Sequence, residues 1–431
     1  MLHRRLRDLS LVAALGLAGA TPCVAQTDTL QVLHWWTSAS ERQAVDALAR
    51  RAAAEGVRWR DAVVPGGAGV GAGKVLRSRV LAGDAPDAAQ MVGVSLTEAA
   101  SMGLLLELND VAVAERWPQV LFPAVDASVR FRGHVVAAPL GIHRINTLLW
   151  NRALFERLKL PPPVDVASFE RAAAALRAAG LTPLAQSREP WQVGTLFETL
   201  VLAEGGPAFH RALFAQRSVA AAGDPRLQKA LARLRALKSQ MGAEIAEEPW
   251  TATLQRLQRG EAAMMIMGDW AKGELQRTGW VEGRQYGCTA APGTAGWHLY
   301  SIDSLAMFTR DYAHAAAQQR LARLATSAAM QTEFNALKGS VPVRRDADPS
   351  RMDPCARLSW DDFARGEAVQ SPSLVHRMAT DETSKDAIVA ELHRYFVDDR
   401  ITPAEAQRRL VALYRALPAP ASAAISQEST R

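Results

Sequence analysis

Short apolar or β-branched runs alternate with long Ala/Leu/Arg segments of helical period along this chain, and the alternation predicts an α/β fold. A length of 431 residues, with 48% hydrophobic and 22% charged residues, fits two globular domains of ordinary composition. The first strand-like run is Leu30-Gln31-Val32-Leu33-His34. It ends on Trp35 and Trp36, then opens through Thr37-Ser38-Ala39-Ser40-Glu41 into a helical pattern over residues 42–54. Further helical periods cover residues 168–179, 227–241 and 314–329. Between them, Val135-Val136-Ala137-Ala138, Met264-Met265-Ile266-Met267 and Ser304-Leu305-Ala306-Met307-Phe308 read as strands. Pro161-Pro162-Pro163 is a rigid connector before a helix that Ser168 is expected to cap. Residues 418–431, with Pro418, Pro420 and a Ser/Gln/Glu/Thr ending, read as a flexible tail. The chain shows no internal repeat of fixed period.

Residues 1–25 read as a secretory signal peptide. Arg4, Arg5 and Arg7 form a basic start, residues 9–20 are an apolar run too short to span a bilayer, and Ala25 ends a small-residue cleavage site. Cys23 allows a lipoprotein alternative, although Pro22 beside it and Ala20 make a poor lipid-attachment signal. The Arg4-Arg5 pair allows twin-arginine export, with Asp8 interrupting the flank. Cleavage after Ala25 leaves 406 residues and lowers the net charge from +6 to +4. The basic residues form no run of five or more, which fits a solvated surface and no nucleic-acid partner. Two cysteines then remain, Cys288 and Cys355, and an even pair in an exported chain suggests one disulfide. Two buried free thiols are the alternative.

Catalytic signatures mostly fail. The Gly-rich run over residues 66–73 precedes Lys74, but a phosphate loop needs Gly where Ala68 stands and Ser or Thr where Val75 stands. It reads better as a turn feeding a helix N-terminus, whose free N–H groups could meet a ligand hydroxyl. There is no Gly-x-Ser-x-Gly elbow, and the nine histidines and three cysteines show no metal-ligand spacing, so neither metal nor cofactor is expected. What remains is a set of separated polar-aromatic motifs with no nucleophile. Trp35-Trp36 offers indole faces for stacking beside a polar rim, a combination suited to sugars. A consecutive pair points to opposite faces, so one can be core and the other presented. The other motifs are His143-Arg144-Ile145-Asn146, Pro190-Trp191-Gln192, Gly268-Asp269-Trp270-Ala271-Lys272, Tyr300-Ser301-Ile302-Asp303-Ser304, Lys338-Gly339-Ser340-Val341-Pro342-Val343-Arg344 and His376.

In this order the chain resembles, over nearly its whole mature length, the periplasmic glucose-binding proteins of bacterial ABC importers, within the extracellular solute-binding family that includes maltose-binding protein. The specific matches are His34-Trp35-Trp36-Thr37-Ser38, Ile142-His143-Arg144, Met267-Gly268-Asp269-Trp270-Ala271-Lys272 and Lys338-Gly339-Ser340. The Cys288 and Cys355 pair also matches. The resemblance implies a two-lobed periplasmic binding protein fold with a hinge and an interlobe cleft. Lobe 1 is placed at residues 26–140 plus 300–337 and lobe 2 at 141–299 plus 338–417. Crossings are expected near Pro139-Leu140-Gly141, over residues 292–300 and near Leu337-Lys338.

The implied function is a non-enzymatic periplasmic monomer that delivers a glucose-like monosaccharide to an inner-membrane ABC permease. Binding or sensing of another small solute, or a secreted carbohydrate-active enzyme, are the alternatives. The resemblance assigns the platform to Trp35 and Trp36, hydrogen bonding to Glu41, Asp303, Lys338 and His376, and the cleft wall to Trp270 and His143. Each residue also has a local reading. Ser38-x-x-Glu41 is a capping box, Asp303 can cap a turn, Lys338 beside Gly339 can end a helix in solvent, and His376 can be a satisfied surface histidine. Three positions depart from the family's pattern: Val92 stands for a lysine, Ser301 for an asparagine and Val70 for a serine. A site built to pair hydroxyls loses heavily when such partners go missing, so these positions bear directly on glucose as the ligand.

Overall fold

The computed structural model describes residues 28–309 and 312–418; the expected signal peptide, Cys23 and all of the tail beyond Pro418 lie outside the described residues. Twelve strands, numbered in chain order, are β1 Asp28–His34, β2 Val57–Val63, β3 Ala88–Met91, β4 Arg130–Phe131, β5 His134–Val135, β6 Ala137–Arg144, β7 Thr147–Asn151, β8 Thr182–Ala185, β9 Ala262–Met267, β10 Tyr286–Ala290, β11 His298–Met307 and β12 Gln370–Pro372. They build two main sheets. The first runs β12-β11-β3-β1-β2, with β6 also on β11; the second runs β10-β7-β9-β8. In the first, β1 lies parallel to β2 and β3, while β11 runs antiparallel to β3 and β6. Helices join the parallel strands, and the fold is mixed α/β, as the alternation predicts, in two lobes, as the resemblance implies.

Each sheet carries its own core. Leu30, Val32, Leu140, Ile302 and Leu305 pack in the first. The second sheet is covered on both faces, and its alternating residues separate accordingly. Leu148, Met264 and Ile266 meet Leu196, Phe197 and Leu200 of the helix Pro190–Phe214 on one side. Leu149, Met265 and Met267 meet Trp270 and Leu275 on the other.

Strand pairing and core membership put the first and third passages between lobes elsewhere than expected. β6 keeps pairing with β11 as far as Arg144, so the first passage falls at Ile145 and Asn146 instead of at Pro139-Leu140-Gly141. Asn146, fully buried, ties this passage to the second one: its Nδ2 donates to Thr294 Oγ1 (2.8 Å) and Trp297 O (3.1 Å), and its Oδ1 accepts from Leu299 N–H (2.9 Å). The third passage is not at Leu337-Lys338. Gly339, at φ +90°, turns the chain back along β6, where Val341 pairs with Ile142, and Val341, Val343, Ala356 and Phe363 all join the first core. The chain leaves that core only after β12, where Leu374 and Val375 enter the cores of the second lobe.

Two local expectations are also corrected. The helical period over 314–329 is two helices, Ala315–Thr326 and Ala328–Lys338, split where Ser327 turns extended (ψ 145°) and caps the second through Met330 N–H. Ser168 does not cap its helix. Asp165 does, and Ser168 completes the capping box from the third helical position. Cys288 on β10 and Cys355 on the helix Pro354–Ala364 form a disulfide, so the second sheet is tied covalently to a helix of the first core. Closing a loop of 67 residues contributes about 4 kcal/mol in the chain-entropy account.

Candidate functional site

A cavity of about 300 Å³ opens between the lobes, and all eight site residues expected from sequence line it. β1 delivers the first two. Trp36 is fully buried, with its ring 5.2 Å from that of His34 and 5.9 Å from that of Phe334, and its Nε1–H donates to Asp303 Oδ2 (3.2 Å). Trp36 is therefore core on most of its surface and holds a carboxylate in place; it does not present a free face. Trp35, half-buried, is the presented indole, and the Arg377 guanidinium lies 5.5 Å from its ring centre.

Glu41 satisfies both of its readings. Its Oε2 accepts from the N–H groups of Thr37 (3.1 Å) and Ser38 (3.0 Å) as a capping box, while Oε1 pairs with Lys338 Nζ at 3.1 Å. Lys338 is buried, contrary to a solvated helix end. Gly339 and Gly273 allow that position, because a Cβ on Gly339 would stand 2.5 Å from Asp269 O and one on Gly273 would stand 2.7 Å from Lys338 O. The helix Trp270–Arg277 thereby seats directly on the end of Ala328–Lys338, and Lys338 Nζ comes 5.9 Å from the Trp270 ring centre.

His143 links the lobes electrically. Its Nδ1 lies 2.6 Å from Asp269 and its Nε2 3.3 Å from Asp303. Burial and the Lys338 ammonium push its pKa down, but the two carboxylates outweigh them and leave it raised. Burial pushes Asp303 up; hydrogen bonds from His143 and Gln90, with the charges of His143 and Lys338, outweigh this and hold its carboxyl well below the usual range. The ring and the two carboxylates hold one another in place in the cavity wall.

His376 is buried and its Nδ1 lies 2.9 Å from Ser373 Oγ, but its Nε2 has no hydrogen-bond partner. Burial, with His143 nearby, pushes its pKa down to about 3, so the ring is neutral. Its ring centre is 5.2 Å from that of Trp270, which is itself 5.4 Å from His143. A buried polar atom with no protein partner in a cavity wall is a ready hydrogen-bonding point for a solute.

Sequence reasoning assigned no site role to Trp191, Trp250 and Glu189, which also line the cavity. Trp191 donates its Nε1–H to Glu189 (2.8 Å) and lies against Gly67 of the opposite lobe, where an added Cβ would stand 2.3 Å from the indole. Trp250 begins the helix Trp250–Gln258. Both tryptophans directly follow a proline at a helix start, in Pro190-Trp191 and Pro249-Trp250, and that shared pattern is the signal available in the chain. Val92 and Ser301 also line the cavity, so two of the three departures lie in its wall.

A family described as bacterial extracellular solute-binding protein matches residues 63–355. A probable sugar-binding periplasmic protein of Rhizobium meliloti (strain 1021) is 32% identical over 415 residues, covering 96% of this chain and 99% of that relative. Among solved structures, a chitin oligosaccharide binding protein shares the fold with a TM-score of 0.75 at 17% identity, over 91% of this chain and 99% of its own. The bacterial solute receptor AcbH, described as exclusive for b-D-galactopyranose, superposes with a TM-score of 0.75 at 17% identity, over 90% and 99%. With the two-lobed fold, the interlobe cavity and these likenesses together, the chain belongs to the bacterial extracellular solute-binding proteins.

Proposed function

We propose that this protein captures a monosaccharide between its lobes in the periplasm and delivers it to an inner-membrane ABC permease, without catalysing a reaction. One observation carries the reading: indole faces, a fixed carboxylate, a buried ammonium and an unpartnered imidazole nitrogen converge from both lobes on one cavity. That set gives a pyranose a stacking surface and hydrogen-bonding groups around its edge. A volume of about 300 Å³ stands at the small end of ligand sites and supports one sugar ring over a long oligosaccharide. The sugar-binding names of the rhizobial and Brucella relatives support the same class of solute.

The test is calorimetry combined with thermal unfolding against a panel of hexoses, pentoses, disaccharides and amino sugars. A solute at ~100 times its dissociation constant stabilises the folded protein by about 2.7 kcal/mol, enough to raise the midpoint visibly. No shift with any member of the panel would overturn the reading. Turnover of glycosides by the purified protein would favour the carbohydrate-active enzyme instead.

A further inference from the structure

The carboxylates lining the cavity are unequally supplied with basic partners. Three line it, Glu41, Asp303 and Glu189. Lys338 pairs with Glu41 at 3.1 Å, and His143 lies between Asp269 at 2.6 Å and Asp303 at 3.3 Å. Glu189 has no such partner among the described residues. Its Oε2 accepts only neutral donors, Trp191 Nε1–H (2.8 Å) and Gln192 Nε2–H (2.7 Å), and Oε1 accepts from no protein donor. Trp191 turns its N–H edge to this carboxylate, and Trp250 lines the same cavity wall. The cavity also holds the buried, unpartnered Nε2 of His376, an independent mark of a missing polar occupant.

We propose that the solute is an amino sugar, a pyranose whose ammonium group sits against Glu189 while its hydroxyls meet Asp303, Lys338 and His376. This deepens the sugar-binding reading and rests on it. An ammonium would give Glu189 the basic partner it lacks, and its N–H donors would reach the free oxygen. A neutral hexose leaves that carboxylate with hydroxyl donors alone.

Calorimetry on the full mature protein below neutral pH, with D-glucosamine, D-galactosamine, D-glucose and N-acetyl-D-glucosamine, tests the proposal. One of the amines should bind about tenfold or more tighter than its neutral parent sugar, and the acetylated, uncharged form should lose that preference. The preference should shrink with added salt, a readout that needs no variant. In Glu189→Gln the amine-to-neutral ratio should fall to near one. Equal or tighter binding of the neutral sugars, or a ratio that survives Glu189→Gln, overturns the amino-sugar assignment while leaving sugar binding intact. Failure of every sugar in the wider panel overturns both.

Discussion

Trp35 and Trp36 leave the end of β1 on opposite sides, and burial decides what each does. Trp36 spends its N–H on Asp303 and its faces on His34 and Phe334, so its replacement disturbs the core as well as the carboxylate. Trp35 keeps a face for the cleft. Val92 and Ser301, where the sequence resemblance expects a lysine and an asparagine, line the wall, and neither reaches as far with a donor. Val92→Lys with Ser301→Asn should therefore strengthen glucose binding, by ~0.5–1.5 kcal/mol for a neutral hydrogen bond and up to ~3 kcal/mol for a charged donor. Calorimetry on the single and double variants checks this, with non-additive gains expected if both side chains touch one ligand. No gain in the double variant would mean that the wall is shaped for another solute. The residues that line the cavity were legible where a polar-aromatic motif announced them. Glu189 was not, because a lone glutamate before Pro190 looks like any charged helix start until the fold brings Trp191 and Gly67 beside it.

The glycine-rich run after β2 shows what an element adds that its residues do not. Gly69 adopts φ +68°, a left-handed conformation that favours glycine, and caps the start of the helix Val70–Leu81. Gly67 has a different reason to lack a side chain: Trp191 of the other lobe packs where its Cβ would be, 2.3 Å from the indole Cε2. Gly67→Ala should leave each lobe's own core undisturbed and penalise the approach of the lobes by ~1–3 kcal/mol, the usual cost of forcing an extra carbon into a close contact. Solute affinity should fall about tenfold, and small-angle scattering at saturating sugar should show a more open particle than the parent. Affinity within twofold of the parent, with unchanged scattering, would show that Trp191 moves aside freely. Elements themselves were legible by period, as in β9 and the helix Ala39–Ala54. The split at Ser327 was hidden because Ala325, Ala328 and Ala329 continue a helical composition across the break.

At the scale of the molecule the lobes are joined by the Asn146 knot, the Cys288–Cys355 bridge and ionic contacts such as Lys272–Asp353 (2.6 Å) and Arg77–Glu382 (2.8 Å). The α/β class was legible in the alternation of elements, and the two lobes in the family resemblance. Where the chain crosses between them was not, because only the pairing partners of β6, β11 and β12 reveal the passages. The buried titrating groups give the whole fold a pH optimum. His376 and His210, pushed by burial from an ordinary 6.5 down to about 3, stay neutral in the fold while the unfolded chain takes up protons. Each removes about 1.4 kcal/mol of stability per pH unit as pH falls from 6.5 toward 3. His298, lowered well below 6.5 by burial, acts in the same direction. Glu198 works oppositely. Burial raises it from 4.5 to about 8, so it is neutral in the fold where the unfolded chain has released its proton, and stability falls as pH rises from 4.5 toward 8. His143, raised above 6.5, adds to that alkaline loss, since its pairing with Asp269 and Asp303 stabilises the fold below 6.5 and fades as pH climbs through its folded pKa. Between 4.5 and 6.5 these three depressed histidines, with His34 also lowered by burial, outnumber Glu198, so stability rises with pH; above 6.5 they fall silent and the loss takes over. Chemical denaturation across this range should therefore show a maximum near pH 6.5. Glu198→Gln keeps an acceptor for Ser373 and Leu374 and should flatten the alkaline side by about 1.4 kcal/mol per pH unit. An alkaline slope unchanged in that variant would show that Glu198 is ionised in the folded protein.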